Sequence, residues 1–278
     1  MGSLMPTSFE VTIRPHRGWQ PIDLREIWLY RELLAFLVWR DIKIRYRQTL
    51  LGALWAVLQP LIAMLIFTFI FNRLAGVKSD GPPYPLFALA GLAPWTFFST
   101  AVSQSSNSLV SNQQLVSKIY FPRVFIPLGA VGALLLDLGL TLILLAFLMF
   151  HYRWPVSPQL IWLPVFIVAA VLATSGVGLA LSAFNVSFRD VKYAVPFLIQ
   201  MGIFVTPVIY PIRYIPGHWK ILMGLNPMAG VVLGFRYAIL GSPSPWPVMG
   251  LSLAVSVVLF VSGLLIFRRM ERRFADII

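Results

Sequence analysis

Cysteine is absent from the 278 residues of this chain, which excludes disulfides, thiolate metal sites and cysteine nucleophiles. A phosphate-binding loop of the G-x-x-x-x-G-K-[ST] type is also missing, because no Gly is followed by Lys anywhere in the sequence. The three histidines lie in separate segments, without the spacing of metal ligands. We therefore expect no catalytic and no metal-binding role for this chain, and any use of ATP requires a separate protein.

Charged residues are scarce, at 12% of the chain, whereas long apolar runs are abundant and the mean hydropathy is +0.80. Each of six runs approaches the roughly 20 residues that a transmembrane helix requires. The runs are Leu50–Phe71, Leu86–Val110, Val124–Phe150, Leu160–Phe184, Ala194–Tyr210 and Trp246–Phe267. The sequence predicts an all-α integral membrane protein with six transmembrane helices in residues 49–278.

The basic residues predict how these helices are oriented. With an even number of spans both termini lie on one side, and sixteen of the 22 Lys and Arg residues fall on that side, against six on the other. Because Lys and Arg concentrate in cytoplasmic loops, both termini are predicted to be cytoplasmic. The net charge of +12 then reflects topology and contact with anionic membrane lipids rather than binding of nucleic acid.

Residues 1–48 are predicted to form a cytoplasmic tail that ends in a segment of mixed character. Between Ile22 and Tyr46, charged residues alternate with apolar and aromatic ones, which is too polar to span but typical of an amphipathic helix lying in the membrane interface. Its basic end, expected at the level of the lipid headgroups, consists of Arg40, Lys43, Arg45 and Arg47. Two roles remain open, a simple anchor and a helix that handles a phosphate-bearing lipid substrate.

Uncharged polar residues crowd the second predicted span, in WTFFSTAVSQSSNSLVSNQQ from Trp95 to Gln114. On a helix they cover about half of the circumference. Hydrogen bonding between helices needs only a narrow stripe, whereas a face this wide suits a lumen, so we interpret it as channel-lining and keep helix–helix contact as the alternative. Hydroxyls, amides and aromatics together suit a neutral polyhydroxylated solute such as a sugar. The predicted channel residues are Trp95, Phe97, Phe98, Ser99, Ser103, Ser106 and Asn107.

Asp137 is the one carboxylate inside a predicted span, where burial demands either protonation or a partner. A proton-coupling acid and a hydrogen-bonding residue between helices both fit. The first reading would make the chain a proton-coupled secondary transporter. A third class, a membrane acyl- or glycosyltransferase, would need an acid–base pair that His151, His218 and Asp137 do not supply in any evident way.

Two loops carry further predictions. The segment LVSKIYFPRVFIP, Leu115 to Pro127, is short, amphipathic and predicted to be cytoplasmic, so its Ile-Tyr-Phe could dock another protein. The region from about 211 to 243 is rich in Pro and Gly and holds two apolar pieces too short to span. It predicts short re-entrant helices at a gate between spans five and six, with an ordinary interfacial loop as the alternative.

Six segments together resemble a known family. They are WRDIKIRYRQTLLGALWAVLQP (39–60), PYPLFALAGLAPWTFFS (83–99), SSNSLVSNQQLVSKIYFPR (105–123), NVSFRDVKYAVPFLIQ (185–200), TPVIYP (206–211) and LNPMAGVVLGFRYAILG (225–241). Over nearly its whole length the chain resembles the membrane-spanning permeases of type-2 ABC exporters that move polysaccharides, including O-antigen, capsule and teichoic acid.

That resemblance implies a multi-pass permease of the bacterial inner membrane that is not itself an enzyme. It implies a homodimer that binds two ATPase subunits, which hold ATP and magnesium, and that moves a lipid-linked polysaccharide, O-antigen foremost, through a channel at the dimer centre. It also implies a coupling helix at about 113–122. The ATPase-coupling residues would be Leu115, Lys118, Ile119, Tyr120, Phe121, Arg189 and Asp190. The gate residues would be Tyr210, Tyr214, Trp219, Asn226 and Arg236.

Overall fold

The computed structural model describes residues 30–47, 54–79, 81–118, 121–188, 190–243, 245–271 and 274. Helices make up most of these residues and no β-strand occurs among them. The prediction of an all-α protein is therefore confirmed.

Ten α-helices follow one another in the described part of the chain. The first five are α1 (Arg31–Tyr46), α2 (Leu54–Phe67, continued by a π-helical segment Thr68–Leu74), α3 (Tyr84–Ser111), α4 (Gln113–Lys118) and α5 (Phe125–His151). The others are α6 (Leu163–Ser187, preceded by a 3₁₀ segment Pro158–Trp162), α7 (Val191–Val205), α8 (Gly217–Met223), α9 (Pro227–Leu240) and α10 (Trp246–Glu271).

Five helical segments in the described residues are long and apolar enough to cross a membrane. They are Leu54–Leu74, Tyr84–Ser111, Phe125–His151, Pro158–Ser187 and Trp246–Glu271. The fifth predicted span, Ala194–Tyr210, corresponds to α7, whose 15 residues reach only about 22 Å, less than the roughly 30 Å of a hydrocarbon core. The count of six transmembrane helices stays a prediction.

Helix α3 is the hub of the fold. In its most apolar stretch 72% of the residues are buried, against 11% for the segment that begins with α2. It packs against α5, α6 and α9, so its side chains are enclosed on most sides. The polar second half of this same helix is less enclosed, since Ser99, Thr100, Ser103 and Asn107 are half-buried and Gln104 is exposed.

Small residues allow α6 and α10 to approach closely. A Cβ on Gly176 would lie 2.4 Å from the backbone of Leu259, and one on Gly263 would lie 2.0 Å from the carbonyl oxygen of Gly176. Neither position can accept a larger residue without moving a helix. Gly176 belongs to the segment SGVGLALSA, whose small residues indicate close helix packing.

Helix α1 lies against the first turns of α5. Gly129 and Gly132 make room there, since a Cβ on either would meet Leu37 or Val38 at 3.2 and 2.8 Å. The opposite face of α1 exposes Phe36 and Trp39. A helix attached along one face and apolar on the exposed face is what an interfacial helix requires.

The Pro- and Gly-rich region forms two short helices, α8 and α9. Helix α9 is almost entirely buried among the longer helices. Asn226 caps its N-terminus by accepting a hydrogen bond from the Met228 amide at 3.0 Å, and Gly241 follows its last residue with a φ of 68°, which favours glycine. A short helix at membrane depth must be enclosed by protein, and α9 is enclosed, but its place in a gate stays a prediction.

Candidate transport groove and its surroundings

An open polar groove of about 360 Å³ runs between α3 and α7. Its residues are Ser99, Thr100, Ser103 and Gln104 from α3 and Pro196, Ile199 and Gln200 from α7. Two of the predicted channel residues, Ser99 and Ser103, thus line one continuous surface. Gln200, which the sequence analysis did not predict as a site residue, adds an amide to this surface. It is the single amide within the apolar sequence of α7, and this isolated polar residue could have indicated it.

An apolar groove of about 450 Å³ adjoins the polar one, and Ile199 lines both. Trp95 and Phe98 form its α3 wall, with ring centroids 5.7 Å apart. Gly202 of α7 permits this arrangement, because a Cβ there would lie 2.8 Å from the Trp95 ring. Aromatic rings and uncharged polar groups therefore share one side of the molecule.

Helix α7 is covered on one side only. Val195 is its single buried residue, whereas Phe197, Leu198, Phe204 and Val205 are each 59–61% exposed. An isolated chain therefore leaves both grooves open along a largely apolar helix.

The remaining predicted channel residues lie elsewhere. Phe97 and Ser106 are buried, and the Ser106 hydroxyl donates to the carbonyl of Ser103 at 2.8 Å. The amide of Asn185 on α6 donates to the Ser106 carbonyl at 2.9 Å and to the Asn107 side-chain oxygen at 3.1 Å. Ser106 and Asn107 therefore take part in hydrogen bonds between helices, which was the alternative to a channel lining for the polar face of α3.

Asp137 has partners on α1. Its carboxylate accepts from the Arg45 guanidinium at 2.5 Å and from the Tyr46 hydroxyl, and Arg45 also donates to the side-chain oxygen of Gln104. Both members of the ion pair are about one-fifth exposed. Burial and the hydrogen bond to Asp137 raise the pKa of Tyr46, so it stays neutral and donates. Arg45 therefore connects the interfacial helix with α5 and with the polar groove on α3.

The other basic residues of α1 have different surroundings. Arg40 pairs with the adjacent Asp41 at 2.8 Å, and the Lys43 ammonium lies 5.4 Å from the centroid of the Trp39 ring. Arg47 is exposed. A role of Arg40, Lys43 and Arg47 at lipid headgroups stays a prediction, and Arg45 is occupied by Asp137.

Arg236 is buried, with only 2% of its surface exposed. Its guanidinium donates to the carbonyls of Phe87 at 3.2 Å, Pro207 at 2.6 Å and Val208, and lies 3.5 Å from the centroid of the Phe87 ring. Through these hydrogen bonds Arg236 connects α9 with α3 and with the segment that follows α7, and its buried side chain does not line an opening. The resemblance placed Arg236 among the gate residues, and nothing in the neighbouring sequence indicates its carbonyl partners.

The other predicted gate residues surround this connection. Asn226 donates to the Thr206 hydroxyl at 2.9 Å. The Tyr210 hydroxyl donates to the Phe204 carbonyl at 3.1 Å. Tyr214 and Trp219 are each 55% exposed. Only these last two present large surfaces to a ligand or to lipid.

The predicted coupling residues that the structure describes lie at one end of the bundle. Lys118 and Asp190 are exposed, Leu115 is half-buried, and Phe121 is buried in an apolar cluster with Val116. The hydrogen bond from α6 to Asn107 places the end of α6 beside the end of α3, from which α4 follows directly. Three members of the predicted set, Ile119, Tyr120 and Arg189, lie outside the described residues. In the described part of the chain, no group of three or more potential metal ligands occurs.

Residues 32–240 match the family described as ABC-2 type transporter. The chain belongs to this family. The resemblance stated from the motifs is thereby confirmed, and family membership agrees with a transporter subunit in the membrane.

Known relatives of this ABC-2 permease match over most of their length. An O-antigen export system permease protein RfbA of Klebsiella pneumoniae is 31% identical over 248 residues, 89% of this chain and 95% of that protein. The protein of the same name from Myxococcus xanthus is 33% identical over 258 residues, 91% of this chain and 98% of that protein. A polysialic acid transport protein KpsM of Escherichia coli is 26% identical over 207 residues, 72% of this chain and 78% of that protein.

Proposed function

We propose that this ABC-2 permease is the membrane-spanning subunit of an ATP-driven exporter of a lipid-linked polysaccharide, with O-antigen as the cargo. The observation that carries the proposal is the groove between α3 and α7, polar beside Ser99 and Ser103 and aromatic beside Trp95 and Phe98. The relatives named for O-antigen export support the choice of cargo.

The chemistry of the groove suits a glycan. Its polar part carries three hydroxyls and two amides, and its described lining holds no charged residue. Sugars present many hydroxyls, which such groups can bond, and apolar ring faces, which stack on aromatics. A charged solute would find no counter-charge among the side chains that line this groove.

A second copy of the chain would close the groove into a channel. The exposed apolar side of α7 is the surface that a partner would cover, because helix α7 has little contact with its own chain beyond α3 and α6. We propose a homodimer whose central channel is formed by the two α3–α7 grooves.

A separate ATPase would supply the energy. Helix α4 and the exposed residues around Asp190 lie at the same, predicted cytoplasmic, end of the bundle, where Phe188 and Tyr193 are 60% and 70% exposed. Exposed aromatics next to a short helix are typical of a docking surface. ATP and magnesium would reside in that partner.

Asp137 is assigned to anchoring the interfacial helix rather than to proton coupling. Its ion pair with Arg45 and its bond from Tyr46 occupy both carboxylate oxygens. If export coupled to protons through this residue, Asp137→Asn would abolish it and remove any dependence on a pH gradient. We expect instead that Asp137→Asn loosens α1, measured by protease access to residues 30–47, with export reduced but still dependent on ATP.

Ser103→Leu tests the groove. Leucine fills the polar surface, so export of surface polysaccharide should fall while the amount of permease and of co-purified ATPase stays constant. Ser111→Leu, on the same helix and exposed beyond the groove, is the matched control and should export normally. Normal export by Ser103→Leu would contradict a channel at this surface.

Lys118→Glu tests the coupling surface. This residue is exposed, and its reversal should weaken co-purification of the ATPase without altering the melting temperature of the permease. Arg123 is a poor choice for the same test, because its guanidinium donates to the carbonyl of Glu271 at 3.0 Å and its loss would disturb α10. Full transport by the permease alone in ATP-free liposomes would refute the ATP-driven mechanism.

A further inference from the structure

A separate apolar groove of about 360 Å³ opens at the end of the bundle opposite α4. It lies between α5, the start of α6 and α9, and shares no residue with the grooves at α7. Its lining includes Leu142, Ala146, Met149, Phe150, Trp154 and Ile239. The volume is within the range of about 300–1,000 Å³ that small-molecule sites occupy.

The surroundings place this groove at the depth of lipid chains. Its walls belong to two segments that are long and apolar enough to span the membrane, α5 and Pro158–Ser187. Aromatic residues gather at the same end, with the Trp246 ring 5.5 Å from Trp162 and 5.1 Å from Tyr237. Trp and Tyr concentrate at membrane–water interfaces, so we infer that the groove lies just inside such a belt and faces acyl chains.

One basic residue lies in the turn that carries two lining residues of the groove. Arg153 falls between the lining residues Phe150 and Trp154, is exposed, and has a φ of 51°, an uncommon conformation for a residue other than glycine. The turn is fixed on both sides, since the Trp154 amide donates to the Met149 carbonyl at 2.9 Å and the Trp154 indole donates to the Leu240 carbonyl at 3.2 Å. No Asp or Glu occurs from residue 138 to residue 189, so the sequence offers this cation no neighbouring carboxylate.

We propose that this groove binds an anionic phospholipid of the bilayer, with one acyl chain along the apolar wall and the phosphate at Arg153. The apolar lining fits a hydrocarbon chain, and the positive edge distinguishes an anionic from a zwitterionic headgroup. The site is independent of the cargo groove, so its failure would leave the proposed export function intact.

Native mass spectrometry of the full-length permease, purified with defined phosphatidylglycerol and phosphatidylcholine mixtures, tests the site. We expect one retained lipid, with phosphatidylglycerol preferred over phosphatidylcholine by about fivefold. This is the preference that the attraction between one basic residue and an anionic lipid provides. Arg153→Gln should bring the preference close to one. Ala146→Phe, which fills the groove, should remove the retained lipid, whereas Ile143→Phe, on an exposed face of the same helix, should keep it.

Two results would overturn the proposal. One is an unchanged preference for phosphatidylglycerol in Arg153→Gln. This substitution changes an exposed residue and does not repack the groove, so its result is informative even if Ala146→Phe fails to fold. The other is efficient cross-linking of two copies of the chain through Ala146→Cys, which would make the groove a protein interface. The absence of native cysteine makes this single-cysteine experiment unambiguous.

Discussion

The buried Arg236 offers the sharpest test of how the short helices are held. Replacing it with methionine keeps the length of the side chain but removes the guanidinium that bonds to Phe87, Pro207 and Val208. Three backbone carbonyls would then lack that donor in a region from which solvent is excluded. We expect Arg236→Met to destabilise the permease and to loosen the chain between α7 and α9.

The magnitude follows from two opposing effects. Hydrogen bonds to a charged group contribute about 1.5–3 kcal/mol each, so three are worth up to about 9 kcal/mol before any offset. Removing the guanidinium also removes the cost of keeping a charge out of water, which is several kcal/mol. A net loss of about 2–4 kcal/mol remains. At roughly 2–4 °C per kcal/mol for a chain of this size, the melting temperature should fall by about 5–15 °C.

Intrinsic tryptophan fluorescence of the purified permease during heating measures this change. Arg73→Met is the matched control, since Arg73 is exposed and its loss should change stability by no more than about 0.5 kcal/mol. Arg236→Lys should also be destabilised, because one ammonium does not reproduce the planar guanidinium fork that reaches three carbonyls. An Arg236→Met protein as stable as the wild type, or more stable, would refute the reasoning and show that desolvation dominates.

Three further predictions use the same unfolding assay. Gly91→Ala should lower the free energy of unfolding by about 1–3 kcal/mol, because the new Cβ would lie 2.5 Å from a guanidinium nitrogen of Arg236. Gly139→Ala is the control and should be neutral, because its new Cβ faces open space. Equal stability of the two variants would argue against a tight contact at Gly91. Asn185→Ala, which removes two hydrogen bonds to α3, should cost about 1–2 kcal/mol; a negligible effect would show that these bonds do not hold α3 to α6. Because the pKa of Tyr46 is raised, its contribution to the free energy of unfolding is complete below the ordinary tyrosine pKa of 10.0 and declines as the pH rises above that value. Tyr46→Phe should therefore lose this loss of stability at alkaline pH. A decline that persists in Tyr46→Phe would show that other groups cause it.

The long helices could be predicted closely. The expected span Val124–Phe150 is α5 shifted by one residue, and Leu160–Phe184 lies within Pro158–Ser187. Continuous apolar runs have this predictive power because a bilayer requires a fixed length of helix with its backbone bonds satisfied internally. The short helix α7 was overestimated at its C-terminal end, where Thr206 and Pro207 leave the helical conformation although the apolar run continues.

The candidate site was predictable in character but only in part by residue. Ser99 and Ser103, on the polar face of α3, line one groove, whereas Ser106 and Asn107, on the same face, contact Asn185; that any of them lines a channel stays a prediction. Helical periodicity defines which residues share a face and does not define which neighbouring helix covers each part of it.

The sequence by itself determined the class of the protein, its main helices and its family. Composition, the length of apolar runs and the order of motifs are properties of the linear chain and do not depend on contacts between distant segments. Tertiary structure alone decided the partners of the isolated charges. Arg45 turns to Asp137, 92 positions away, and Arg236 turns to carbonyls on two other segments. A charge in an apolar environment must find compensation wherever the fold supplies it, and that location depends on packing between distant segments rather than on local pattern.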